Sequence, residues 1–235
     1  MTGKALVTGA GKRLGRAMAL YLGGRGYDVA IHYNGSADAA EDVANEIRAM
    51  GRNAATLQAN LIVEDDMQRL VPEAVDALGG PLNILVNSAS IFEYDNIETA
   101  TRDSWDRHLE SNLRAPFVLS QALAAQMPSA QPDENGEPQA QGLIVNMIDQ
   151  RVRKLTPEFM SYTIAKMGLW AFTRTSAQAL APRVRVNAIG PGPTLPGIRQ
   201  TEAHFAAQRK STISGRGSDT EDICGALGYF LDAKA

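Results

Sequence analysis

At 235 residues the chain is long enough to bury a sizeable core and short enough to form one domain over residues 1–235. Its 44% hydrophobic and 21% charged residues match a soluble globular protein and exclude disordered and fibrous classes. The formal net charge of -3, with no basic stripe interleaved with aromatics, argues against nucleic acid or an anionic membrane as partner.

The single Cys224 excludes an intramolecular disulfide and lies in an apolar helical pattern, as a packed small side chain would. The N-terminal MTGKALVTG lacks the apolar stretch of a signal peptide, and no apolar run reaches the roughly 18 residues of a membrane span. A cytoplasmic protein without a metal site is expected.

In chain order, short apolar runs predict strands at Ala5 to Thr8, Asp28 to Tyr33, Ala54 to Gln58, Ile84 to Asn87, Leu143 to Met147 and Val184 to Ile189. Between them, amphipathic stretches predict helices at Leu14 to Leu22, Ala37 to Met50, Glu64 to Leu78, Trp105 to Met127 and Tyr162 to Leu180, with another at Glu221 to Leu231. This alternation predicts an α/β fold: a Rossmann-like, doubly wound parallel sheet covered on both faces, with ligand-binding loops at one edge. The polar stretch Pro128 to Gln141 reads as an exposed loop, and Gly190 to Gly197, rich in Pro and Gly after a strand, as a site of ligand contact. The last residues follow a helical segment directly, so the usual final edge strand is expected to be missing from the chain as given.

Thr8-Gly9-Ala10-Gly11-Lys12-Arg13-Leu14-Gly15 joins the first strand to the first helix. Gly9 permits a tight turn and Gly15 close helix packing, while free amides at the helix start can cradle a pyrophosphate. The second strand ends His32-Tyr33-Asn34-Gly35-Ser36, without the carboxylate that would bind both ribose hydroxyls of NAD and repel a 2'-phosphate. With Arg13 and Ser36 nearby, NADPH is the expected cofactor, bound along His32, Tyr33, Asn34 and Ser36, with His32 equally readable as a packed strand end.

Tyr162 and Lys166 are four apart on a predicted helix and share one face. The ammonium lowers the cost of phenolate on Tyr162 while its other donors can hold the nicotinamide ribose, and the tyrosine can then deliver a proton as hydride reaches the adjacent carbon. Taken with Thr8-Gly9 to Gly15, Asn87-Ser88-Ala89 and Asn112, the run Tyr162-Thr163-Ile164-Ala165-Lys166 resembles the short-chain dehydrogenase/reductase family over nearly the whole chain. The resemblance implies that Asn112 holds a water linking Lys166 to solvent, that Asn87-Ser88-Ala89 and Asn60-Leu61 border the cofactor's adenine side, and that the protein is a homotetramer.

Within that family, Arg13 stands in place of a glycine and Asp149 in place of the usual serine. Together with His32-Tyr33, Ser90, Phe92 and Gly190-Pro191-Gly192, they resemble the pteridine reductases. That resemblance implies Phe92 stacked on a pterin opposite the nicotinamide, Arg13 and Ser90 on the pterin or cofactor phosphates, and Pro191 and Gly192 at the cofactor. Reducing a C=N bond requires a proton on ring nitrogen, and Asp149 beside Tyr162 can help relay it. NADPH-dependent pterin reduction is therefore the leading expectation. Reduction of a ketone or quinone on the same scaffold is the alternative, and a catalytically silent nucleotide sensor is a third reading.

Overall fold

The computed structural model describes residues 3–197 and 200–234. Strands β1 (Lys4–Val7), β2 (Asp28–Tyr33), β3 (Ala54–Gln58), β4 (Ile84–Asn87), β7 (Gly142–Met147) and β8 (Val184–Ile189) form one sheet in the order β3-β2-β1-β4-β7-β8, every pair parallel. The chain winds outward from β1 to β3, then returns to place β4 on the other side of β1. This reversal opens a crevice beyond the carboxyl ends of β1 and β4, where such sheets bind ligands.

Successive strand residues face opposite sides of the sheet, and each side has its own core. Val7, Val29 and Ile31 pack with Met18 and Leu22 of α1 (Arg13–Gly24), Val43 and Ile47 of α2 (Ala37–Ala49), and Ile223 and Leu227 of α8 (Thr220–Asp232). Leu6, Leu85 and Ile144 pack with Met67 and Leu70 of α3 (Glu64–Leu78) and Leu119 and Leu123 of α5 (Ala115–Gln126). A fully buried leucine of this kind contributes about 1.5–3 kcal/mol. Cys224 lies in the first core, and burial pushes its thiol up to about 11, so it packs as an inert apolar group.

Three segments depart from the expected elements. The single helix expected over Trp105 to Met127 is α4 (Arg102–Leu109), a π-helical turn (Glu110–Arg114) and α5. Pro116 accounts for the break, because a continuous α-helix would need its missing N–H for the carbonyl of Asn112 and would press its ring against that carbonyl. The 128–141 stretch carries a small exposed hairpin of β5 (Gln131–Pro132) and β6 (Pro138–Gln139). Its turn is held by Asp133, which accepts hydrogen bonds from the amides of Asn135 and Glu137.

Helix α7 (Glu202–Lys210) was not anticipated. None of its residues is buried, so it leaves no apolar periodicity to read, although Thr201 caps it by accepting from the His204 amide. Helix α6 (Met160–Leu180) agrees closely with its expected span. Among the described residues no strand follows β8.

Candidate active site

The nucleotide loop is shaped by what glycine allows. Gly9 has φ +64°, and a Cβ there would lie 2.9 Å from the Ala89 Cα across the crevice; a Cβ on Gly15 would lie 2.2 Å from the Gly9 carbonyl oxygen. Thr8 closes the other wall, its hydroxyl accepting from the amides of Ser88 and Ala89 at 2.9 and 3.0 Å. Leu14 packs its side chain into the first core.

His32 corrects one expectation. Its Nδ1 accepts from the Gly9 amide at 3.0 Å, and its Nε2 donates to the Ala59 carbonyl, also at 3.0 Å. Both ring nitrogens are occupied, and burial lowers the imidazole to about 4, which keeps it neutral in this tautomer. The side chain is therefore a buried strut under the glycine loop, not a group presented to the cofactor. Tyr33 packs partly into the first core, Asn34 is exposed at the strand end, and the Ser36 hydroxyl would lie 3.1 Å from a Cβ on Gly11, at the rim of the loop.

Asn60 serves its own turn, its side-chain oxygen accepting from the Ile62 amide and its main-chain amide donating to Asp66 at 2.6 Å. Leu61 belongs to the second core.

Arg13 carries a contact that its sequence position does not suggest. It adopts φ +56°, a left-handed conformation costly for any residue with a Cβ, at the position where the family resemblance calls for glycine. Its guanidinium donates to the carbonyls of Pro196 and Leu195 at 2.7 and 3.3 Å. It thus ties the nucleotide loop to the segment after β8 with two of its five N–H donors. In that segment Gly192 has φ +65°, and the Pro191 carbonyl accepts from Ser218 and Thr194 at 2.6 and 3.0 Å.

The chemistry converges on Tyr162, in the first turn of α6. Its hydroxyl donates to the Asp149 carboxylate at 3.0 Å. Asp149 is itself fixed by accepting the Arg151 amide at 2.8 Å, as the cap of a short 3-10 turn, Gln150–Val152. Burial, then the adjacent Asp149 charge and hydrogen bond, push the phenol well above its usual value, while a hydrogen bond with Ser90 opposes them. Lys166, one turn along, is buried and donates to the Met147 carbonyl at 2.8 Å. Burial lowers its ammonium to about 8, with Asp149 acting in the opposite sense.

Asn112 sits in the π turn, and its carboxamide is paired with one residue: it accepts from the Ile91 amide at 2.9 Å and donates to the Ile91 carbonyl at 2.8 Å. Phe92, next along, is 50% exposed, stacks on Phe159 with centroids 4.3 Å apart, and meets the Tyr162 ring edge-on at 4.6 Å. Arg151 lies over the other ring of that stack, 4.7 Å from the Phe159 centroid. Neither Phe159 nor Arg151 carries a motif; only their nearness in sequence to Tyr162 and Asp149 could have marked them.

Asn87 donates to Asn146 at 2.8 Å, and Asn146 donates to Thr173, which leaves the buried side-chain oxygen of Asn87 without a partner. An orphaned acceptor in the crevice, beside a glycine cradle that no side chain could share, fits a dinucleotide lying across β1 and β4.

Residues 3–206 match the short chain dehydrogenase family. The fold superposes on FolM alternative dihydrofolate reductase 1 of Brucella canis, crystallised with NADP, with a TM-score of 0.90 and 42% identity over 99% of this chain and 88% of that one. Along the sequence, the 3-oxoacyl-(acyl-carrier-protein) reductase of Staphylococcus aureus is 34% identical over 239 residues, 100% of this chain and 93% of its own. The tetrahydroxynaphthalene reductase of Pyricularia oryzae is 29% identical over 220 residues, 93% of this chain and 72% of its own.

Proposed function

The chain belongs to the short chain dehydrogenase family, and within it we propose that this NADP-dependent oxidoreductase reduces a dihydropterin or a closely related pterin. The observation that carries the reading is the direct contact between Tyr162 and Asp149 at 3.0 Å, with the half-exposed Phe92 ring set edge-on to that of Tyr162. The Brucella FolM relative supports the substrate class.

NADPH, when bound, supplies the hydride. The Gly9 to Gly15 loop and the orphaned Asn87 oxygen would hold it, with Ser36 at the strand end that lacks a repelling carboxylate. Phe92 offers a flat apolar face to a fused ring, which fixes its plane without demanding one hydrogen-bond pattern. Tyr162 donates the proton that a ring nitrogen needs when the neighbouring carbon is reduced.

Asp149 shapes that donation in two ways. Its charge disfavours free phenolate, so the tyrosine keeps its proton until a basic nitrogen takes it, and its carboxyl group offers a second station from which the proton is replaced. Lys166 places a cation behind the tyrosine ring, 5.8 Å from its centroid. A water that replenishes the proton would be held by the Asn112 main-chain carbonyl, which Pro116 leaves without its usual helical donor.

The test is Asp149→Ser, assayed on dihydropterin and on an activated ketone with one preparation. Pterin turnover should fall by about 100-fold, in the range for a lost proton relay, while ketone turnover is kept or raised and the NADPH dissociation constant stays within about 2-fold. Unfolding would depress both activities together. Normal pterin turnover in the variant would remove Asp149 from the mechanism. A wild type active only on ketones would place the chain functionally with the 3-oxoacyl reductases it resembles.

A further inference from the structure

Behind Tyr162 lies a buried polar chain that the proposed reaction does not use. Asp95 and His108 are both completely shielded from solvent, and Ser161, the residue before Tyr162, is 1% exposed. The Glu93 amide donates to His108 Nε2 at 3.0 Å, which leaves the ring proton on Nδ1; that proton is donated to the Ser161 hydroxyl at 2.6 Å. Ser161 in turn donates its hydroxyl proton to Asp95, whose other oxygen accepts the Ser161 amide at 3.1 Å. The Ser104 hydroxyl adds a contact to Asp95 at 3.2 Å, and the Asp95 carbonyl accepts from the Phe159 amide at 2.7 Å.

Every donor and acceptor along this chain has one direction. Burial lowers His108 below its usual value, with Asp95 opposing, and so keeps it neutral. Burial alone would raise Asp95, but the hydrogen bonds from Ser161 and Ser104 outweigh it and keep it ionised. A fully satisfied buried network of this kind fixes one arrangement, because any slippage leaves a polar group without a partner.

What the network joins gives it a role. Along residues 90–95 exposure alternates, with Phe92 and Tyr94 each 50% exposed and Asp95 buried, the pattern of an extended chain whose side chains face outward and inward in turn. The inward-facing residues are pinned in turn: Ile91 by Asn112, Glu93 by His108, and Asp95 by the start of α6. The outward-facing residues Ser90 and Phe92 are those that touch Tyr162.

We infer that His108, acting through Ser161 and Asp95, is a positioning residue that sets the distance between the Phe92-bearing segment and the Tyr162 hydroxyl, and so the fit of the substrate ring between them. This rests on Tyr162 as the proton donor of the proposed reductase. It does not depend on the ring being a pterin. His108→Phe keeps a flat ring of similar bulk, removes the acceptor for Glu93 and the donor to Ser161, and leaves the nucleotide loop untouched. His108→Gln restores one donor and one acceptor on a single planar group.

Steady-state kinetics should be measured on whichever of dihydropterin or activated ketone the wild type turns over, so that a mistaken substrate class leaves this comparison intact. His108→Phe should lower kcat/KM by about 10-fold with a raised KM, while the NADPH dissociation constant stays within about 2-fold; His108→Gln should recover most of the loss. A merely structural role would lower the amount of active enzyme with KM unchanged, and that result overturns the inference, as does a loss that glutamine fails to recover. If His108→Phe does not yield folded protein, Ser161→Ala, which cuts the chain but keeps the His108 bond to Glu93, carries the same expectation. Unchanged KM and kcat in that variant would refute it.

Discussion

Lys166→Met should make the protein more stable and inactive. Lys166 is 3% exposed, and burial depresses its ammonium from 10.5 to about 8. At about 1.4 kcal/mol per pH unit, that depression is on the order of 3 kcal/mol of penalty on the charged form, carried in full at pH 7. Methionine keeps an unbranched chain of similar length and removes the charge, but it also removes the hydrogen bond to the Met147 carbonyl, which offsets about 1–2 kcal/mol. The net gain is about 1–2 kcal/mol, a rise in Tm of roughly 2–8 °C for a chain of this size.

The sign has a pH signature. A folded-state pKa below the unfolded one means that the unfolded chain binds more protons between about 8 and 10.5, so wild-type stability from this group rises across that window. The variant's advantage should therefore be largest at pH 7 and shrink towards pH 10.5. Urea unfolding of both proteins at several pH values, with NADPH turnover on the same samples, checks both parts. A variant less stable than wild type at pH 7, or an advantage independent of pH, would refute the electrostatic reasoning.

Two further predictions follow from buried or strained groups in the nucleotide loop. Arg13→Gly relieves a left-handed residue by about 1 kcal/mol and loses two exposed hydrogen bonds worth about as much together, so Tm should stay within roughly 3 °C while substrate KM rises as the segment after β8 is released; a substantially lower Tm would show that the guanidinium bonds outweigh the backbone strain. His32, lowered from 6.5 to about 4 by burial, contributes stability that is present above pH 6.5 and lost as pH falls towards 4, on the order of 3 kcal/mol in all. Urea midpoints of wild type and His32→Gln between pH 7 and 4 should converge on acidification, and parallel acid slopes would contradict the assignment.

The sheet was legible because its strands are short apolar runs divided by amphipathic helices, and the Tyr162 and Lys166 pair because residues four apart share a helix face in any α-helical chain. Asp149 was legible as a departure in a fixed place, and the structure puts its carboxylate on the Tyr162 hydroxyl. The sequence could not reveal which other residues the candidate site residues hold. His32 ends a strand beside the crevice, yet its ring nitrogens are claimed by Gly9 and Ala59. Nothing local to Arg13 marks the carbonyls, 182 and 183 residues away in the chain, on which its guanidinium rests. Phe159 had no periodic pattern to mark it, because its role depends on a backbone turned to φ +56° just before α6.

His108 was hidden for a different reason, one of matched spacing. Four residues of helix advance about 6 Å along the axis, and two residues of extended chain advance about 6.6 Å. His108 and Asn112, four apart, can therefore grip Glu93 and Ile91, two apart, with the helix running opposite to the strand. The fit needs no ladder of main-chain bonds, and it leaves the alternate residues Ser90 and Phe92 free to face Tyr162. The π turn contributes here too: it begins just after His108, takes up the proline that would otherwise disturb the helix, and lets Asn112 keep both hydrogen bonds to Ile91. In isolation a histidine at this position is one polar residue on an amphipathic helix. Its role comes from two periodicities that coincide over a single turn, so inserting one residue between Ile91 and Phe92 would turn Phe92 inward and disconnect Glu93 from His108.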